Sequence, residues 1–216
     1  MTGKTDWTAL RVLIVAREGA DRDELRTILE DAGREVVGCA SRQSQGCELA
    51  LRFHPDAVLL DVELAQGDGI DLAVQLSDAE IGPVLVVTSQ FRPELARRAA
   101  EAGVFSYLVQ PTTAPKLLAS LDIAHGLWLD ARDRARRLDV LRERLETRQL
   151  VDRAKKALMT NCGYTEPQAY RFMQTRSMNS RRSMRWVAEA VLTTHEIVGL
   201  PSAQPVEASG LQEVLR

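Results

Sequence analysis

The chain has 216 residues, 45% hydrophobic and 27% charged, a composition that suits one globular domain of ordinary size plus a smaller one. No run reaches the roughly 18–20 apolar residues a membrane span needs. The net charge of −2 conceals a split: Met1–His125 carries 12 basic and 19 acidic residues, and Gly126–Arg185 carries 15 and 7.

A balance of +8 in the second segment fits either a surface that meets a polyanion or a solvated helix whose basic residues pair with neighbouring acids. Met1–Ala9 includes Lys4, Asp6 and Trp7 and lacks the apolar run of a secretory signal. Cys39, Cys47 and Cys162 have no metal-site spacing and are odd in number, as buried thiols in a reducing compartment would be. The expected location is therefore the cytoplasm.

In chain order, Leu10–Ala16, Asp56–Asp61 and Pro83–Thr88 are short apolar runs rich in β-branched residues, as in strands buried on both faces of a parallel sheet. Glu35–Ala40 and Phe105–Val109 are weaker strands. Asp23–Ala32, Gln45–Phe53 and Glu94–Ala102 have helical apolar spacing, and the last stops at Gly103. This alternation predicts a doubly wound α/β domain over 10–125. In such a sheet the site lies beyond the carboxyl ends of the strands. That position collects Ala16, Arg17, Glu18, Asp61, Thr88 and Gln110.

The order of elements, Asp61 ending the third strand, Thr88 ending the fourth, and Gln110-Pro111 after the fifth resemble a response-regulator receiver domain of flavodoxin/CheY-like fold. Tyr107 matches that family's switch aromatic. The resemblance implies a phosphoacceptor at Asp61, two acids after the first strand for Mg²⁺, and a lysine before the proline. Here those positions hold Ala16, Arg17 and Gln110. Mg²⁺ needs oxygen ligands, and phosphoryl transfer depends on positioning and charge neutralisation. The expectation is a pseudo-receiver with no cofactor, Mg²⁺ entering only if the pocket is active after all. Arg17 standing in for both metal and lysine is the competing reading.

From Ala114 the chain is helix-compatible to about Cys162, with Gly126 costing about 1 kcal/mol against alanine. Ala124, Leu127, Ala131, Leu138, Leu141 and Leu145 follow the alternating 3 and 4 steps of a coiled-coil seam, with Arg134 and Arg148 at seam positions. The expectation over 114–148 is a linker helix pairing in a parallel homodimer. One amphipathic helix folded back on its own domain is the alternative.

The rest predicts a small all-α domain of three helices over 144–198. Leu150, Val151, Ala154, Ala157 and Leu158 lie on one face and Gly163 ends the first helix. Thr165 with Gln168 forms a capping signal, and Pro167 falls in the first turn of the next. Asn179 and Ser180 are expected to break that helix and cap a third, which buries Met184, Val187, Ala188, Val191 and Leu192. Tyr170, Phe172 and Trp186 are read as core in preference to stacking platforms. The tail, 199–216, is expected to be disordered.

Ala154-Lys155-Lys156-Ala157-Leu158-Met159, Gly163, Thr165–Ala169 and Val187-Ala188 resemble the ANTAR domain, the RNA-binding module of AmiR- and NasR-type antiterminators. The resemblance implies binding to stem-loops of nascent leader RNA, by occupancy and without a catalytic group. The residues expected to meet RNA are Arg153, Ala154, Lys155, Lys156, Gly163, Tyr164, Thr165, Arg171, Arg176, Arg181 and Arg182. Lys156 replaces a common family glycine. The resemblance also suggests a ligand-sensing regulatory protein, or a histidine kinase, as partner. Against this stand a DNA-binding response regulator phosphorylated on Asp61, and a module that binds only proteins. His54, His125 and His195 are scattered, and no nucleophile–base pair or phosphate loop marks an enzyme.

Overall fold

The computed structural model describes residues 9–198, with side chains to Thr194. The tail expected to be disordered and the His195 side chain lie outside the described residues. The chain divides into two compact units, Met1–Asp133 and Arg134–Arg216.

In the first unit, five parallel strands alternate with helices: β1 (Arg11–Val15), α1 (Ala20–Asp31), β2 (Glu35–Ala40), α2 (Gln43–Phe53), β3 (Ala57–Asp61), α3 (Gly69–Asp78), β4 (Val84–Thr88), α4 (Pro93–Glu101) and β5 (Ser106–Val109). The order β2-β1-β3-β4-β5 reverses direction between β1 and β3, so the crevice lies where Ala16 and Asp61 leave the sheet. β3 buries Ala57–Leu60 and β4 buries all five residues, as their unbroken apolar runs require. One face of the sheet carries Leu13, Val15, Leu60 and Val86 against α2 and α3. The other carries Val12, Ile14, Leu59 and Leu85 against α1 and the start of α5 (Ala114–Cys162). Burying each such side chain contributes roughly 1.5–3 kcal/mol.

Helix α3 is absent from the sequence-predicted helical stretches. Its start sits in a polar loop, where the Asp68 carboxylate accepts from the Ile70 N–H at 2.7 Å. A Cβ at Gly69 would collide with the Asp61 carbonyl and the backbone of Val62. Only glycine lets α3 begin directly against the end of β3.

The first turns of α5 belong to this unit: Leu117, Leu121 and Ala124 are buried. Arg34 Nη2 pairs with Asp122 at 2.7 Å, His125 Nδ1 lies 3.1 Å from the Asp56 carbonyl, and the Arg132 guanidinium stands 4.8 Å from the Trp128 ring. Ala124, at the head of the heptad spacing, is therefore core, while Leu127, Ala131, Leu138, Leu141 and Leu145 are all exposed.

In the second unit, the end of α5, α6 (Glu166–Ser180) and α7 (Met184–Val198) enclose Ala154, Leu158, Ala169, Met173, Val187, Ala188 and Val191. Gly163 closes α5 at φ 66°, and the Gln168 side chain accepts from the Thr165 N–H at 2.9 Å and its hydroxyl at 2.8 Å. The cap of the last helix differs from expectation. Asn179 and Ser180 finish α6, and Ser183 caps α7, its Oγ accepting from the Trp186 N–H at 3.2 Å. Arg181, in the left-handed region at φ 53°, moves the break three residues on.

Candidate functional site

Two regions carry the side chains singled out by the sequence. The first is a cavity of about 200 Å³ at the sheet crevice, lined by Ala16, Arg17, Glu18, Asp61 and Gln110, with Leu25, Leu59 and Val87 as its apolar wall. Thr88 and Tyr107 do not line it. The Thr88 hydroxyl engages its own loop, 3.3 Å from the Gln90 carbonyl. The Tyr107 hydroxyl is buried without a partner among the described residues, and its ring meets exposed Phe91 edge-on at 6.3 Å. Gln110-Pro111 is a cis peptide.

Asp61 Oδ1 accepts from the Glu63 N–H at 3.0 Å. Half-burial pushes its carboxyl above the usual range, opposed by that hydrogen bond and by Arg17. Arg17 does not enter a metal-ligand position as an acid would. Its Nη2 reaches Glu63 Oε2 at 3.1 Å, and Glu63 Oε1 takes Arg92 at the same distance. Glu18 is turned to Arg22 at 3.8 Å. Among the described residues no group of three or more His, Cys, Asp or Glu could hold a metal ion. The donor set around Asp61, with alanine and a guanidinium where hard oxygen ligands belong, does not fit Mg²⁺.

Sequence reasoning missed Glu63. Its signal was only its position two residues after Asp61; its role comes from Arg17 and Arg92, distant in sequence.

The second region is the helical unit, and it sorts the expected RNA residues into three groups. Ala154 is fully buried, so its expected contact with RNA is corrected: it is a core residue whose small side chain lets the helices approach. Lys155 is tied down. Its Nζ lies 2.7 Å from Asp152 and 2.8 Å from Glu166, and these partners raise its pKa. The hydrogen bond from Lys155 in turn holds Asp152 below the usual carboxylate range. Lys155 therefore clasps α5 to the first turn of α6 and does not reach outward as expected. Tyr164 packs on Phe172 at 5.8 Å, in a supporting position, while Gly163 and Thr165 are exposed punctuation of the same corner.

The third group is free. Arg153, Lys156, Arg171, Arg176, Arg181 and Arg182 form no ion pair among the described residues, although Lys156 acts on Asp152 at longer range. Arg176 lies 5.6 Å from the Phe172 ring and Arg182 5.7 Å from the Trp186 ring. Arg185 is different, pairing with Glu146 and Glu189. Trp186 and Tyr170 are 40% and 46% exposed, which overturns their expected place in the core.

Comparison with known proteins identifies both domains. The response regulator receiver domain model matches residues 12–122 and the ANTAR domain model matches 139–192. The transcriptional regulatory protein PdtaR of Mycobacterium tuberculosis (strain CDC 1551 / Oshkosh) is 38% identical over 184 residues, 85% of this chain and 90% of the relative. The signal receiver domain of a modulated diguanylate cyclase from Desulfovibrio desulfuricans G20 superposes with a TM-score of 0.53 at 29% identity, over 56% of this chain and 96% of that one. The signal receiver domain of the response regulator NarL from Mycobacterium tuberculosis does so with a TM-score of 0.52 at 26% identity, over 55% and 98%. No helix among the described residues is long and apolar enough to cross a membrane. With a receiver domain followed by an ANTAR domain, this chain belongs to the ANTAR-domain response regulators.

Proposed function

We propose that this regulator binds stem-loops in nascent leader RNA as a homodimer, in the cytoplasm, and prevents a terminator hairpin from forming. The observation that carries the reading is the group of free cations on the ANTAR domain. A phosphate-binding surface needs Lys and Arg that are not already neutralised, and counterion release then makes binding steeply salt-dependent. The action is by occupancy, and no residue is assigned a catalytic role.

The exposed leucines of α5 support a dimer. Leu127, Leu138, Leu141 and Leu145 are each half exposed or more, on the a/d spacing that a second copy of the same helix would cover. The receiver domain, in this reading, works as a platform for dimerisation and for a partner, without Mg²⁺. The partner is either a ligand-sensing protein or a histidine kinase that docks without transferring phosphate at the ordinary rate.

A competition gel shift tests the proposal. Labelled RNA stem-loops selected for binding are challenged with unlabelled RNA or with promoter duplex DNA. The expected result is displacement by RNA alone. Preferential, sequence-specific binding to duplex DNA would instead assign the chain to the DNA-binding response regulators. Binding to neither at low salt would leave a protein-interaction module.

A further inference from the structure

Trp186 is a large aromatic that the fold leaves 40% exposed. It lies on α7 beside the buried face formed by Val187, Ala188 and Val191. Indole is normally among the most valuable side chains to bury, and here its exposed surface does nothing for the core. The Arg182 guanidinium stands 5.7 Å from the ring centroid and has no acid partner among the described residues. An indole with an adjacent guanidinium is a stacking surface for a flat, electron-rich ring.

The corner that presents it is fixed in advance. The Ser177 hydroxyl donates to the Arg182 carbonyl at 2.6 Å, and the Arg182 N–H donates to the Ser177 carbonyl at 3.2 Å. Ser183 caps the turn that holds Trp186. Little backbone ordering cost remains to be met on binding. Arg181, next in the corner, holds a left-handed backbone at φ 53° that glycine would adopt without strain. A long exposed cation in a glycine position is unhelpful to the fold and useful to a ligand. The α5–α6 corner offers the opposite: Lys155 is neutralised and Tyr164 is packed inward.

Resting on the RNA reading above, we propose that the α6–α7 corner is the base-reading part of the interface: one unpaired loop base stacks on Trp186 and Arg182, and Arg181 takes an adjacent phosphate. A stacked indole requires a base splayed out of its helix, so this corner reads RNA loops and not paired stems.

The test uses the full chain and two RNA probes, a hairpin pool with a fixed stem and randomised loop and a blunt duplex of the same stem. Trp186→Ala should bind the looped pool about 5- to 160-fold more weakly, the range for loss of one base–aromatic stack. It should keep the wild-type affinity for the duplex and the wild-type salt slope. Trp186→Phe should restore most of the looped binding, which shows that the ring and not the fold is being measured. Arg181→Ala should instead weaken the looped pool and reduce its salt slope by about one unit. Unchanged looped binding by Trp186→Ala overturns the proposal, as does an equal loss on both probes. A wild-type chain that binds neither probe overturns the RNA reading itself, a distinguishable result.

Discussion

Arg17 Nη2 lies 3.1 Å from Glu63 Oε2, and this contact places a neutralised guanidinium at the rim of the pocket that ends in Asp61. The same Glu63 holds Arg92 at the start of α4. The cation after β1 thus links two loops while still acting on the Asp61 carboxylate. With a small phosphodonor and Mg²⁺, acid-labile label on Asp61 should stay near background. The triple variant Ala16→Asp, Arg17→Asp, Gln110→Lys should acquire Mg²⁺-dependent labelling. Wild-type labelling at a rate ordinary for receivers would contradict the pseudo-receiver assignment.

Asp61 also sets a pH dependence. Burial raises its folded pKa above that of the unfolded chain, so between the two values the folded state binds more protons. Stability therefore falls as pH rises through that window, and at neutral pH a half-buried charge opposes folding. Asp61→Asn should be more stable than wild type to urea at neutral pH, with the gap closing as pH falls through the carboxylate range. A gap that widens on acidification would mean that Asp61 is held charged by Arg17.

Gly69 gives a purely steric prediction. A methyl group there meets the Asp61 carbonyl and Val62, neither of which can rotate away. Gly69→Ala should cost about 1–3 kcal/mol by chemical denaturation, despite the better helix propensity of alanine. A neutral or stabilising result would show that α3 can shift off the end of β3.

The sheet was legible because its three central strands are unbroken apolar runs, and a buried parallel strand has no other composition. Helix α3 was not, because its start depends on the Asp68 cap and on the clearance at Gly69 inside a polar loop. The break between α6 and α7 offered three cap-type residues, Asn179, Ser180 and Ser183. The choice fell to the backbone of Arg181, whose left-handed turn no propensity favours. Ala154 and Lys155 were read as a contact pair from their family pattern. The partner that removes Lys155 from the surface, Glu166, lies across the α5–α6 turn and beyond any helical spacing. Trp186 was read as core because aromatics usually are; its exposure follows from which face of α7 the small residues claim.

Arg181 separates stability from binding. Glycine at this position relieves the left-handed backbone, so Arg181→Gly should stabilise the ANTAR domain by about 1 kcal/mol while weakening its hold on RNA. Most substitutions that weaken binding by damaging the fold move both quantities down together. A joint loss here, seen in thermal unfolding and filter binding of the same sample, would argue that the Arg181 side chain supports the turn itself.

The α5 stripe is tested by charge. Leu138→Arg with Leu145→Arg places cations at two exposed seam positions, 53% and 60% accessible in the single chain. Sedimentation should shift from dimer to monomer with little change in the unfolding of the receiver. If both species sediment alike, the stripe is not the dimer seam.

Single-round transcription in vitro tests the central claim most directly. The template carries a binding-selected stem-loop leader ahead of an intrinsic terminator, and full-length against terminated RNA is measured as the protein is added. Read-through should rise with protein, disappear when the leader stem-loop is scrambled, and fall with Arg181→Ala. Unchanged read-through, together with a protein-dependent change in initiation from the promoter duplex, would contradict an RNA-level action.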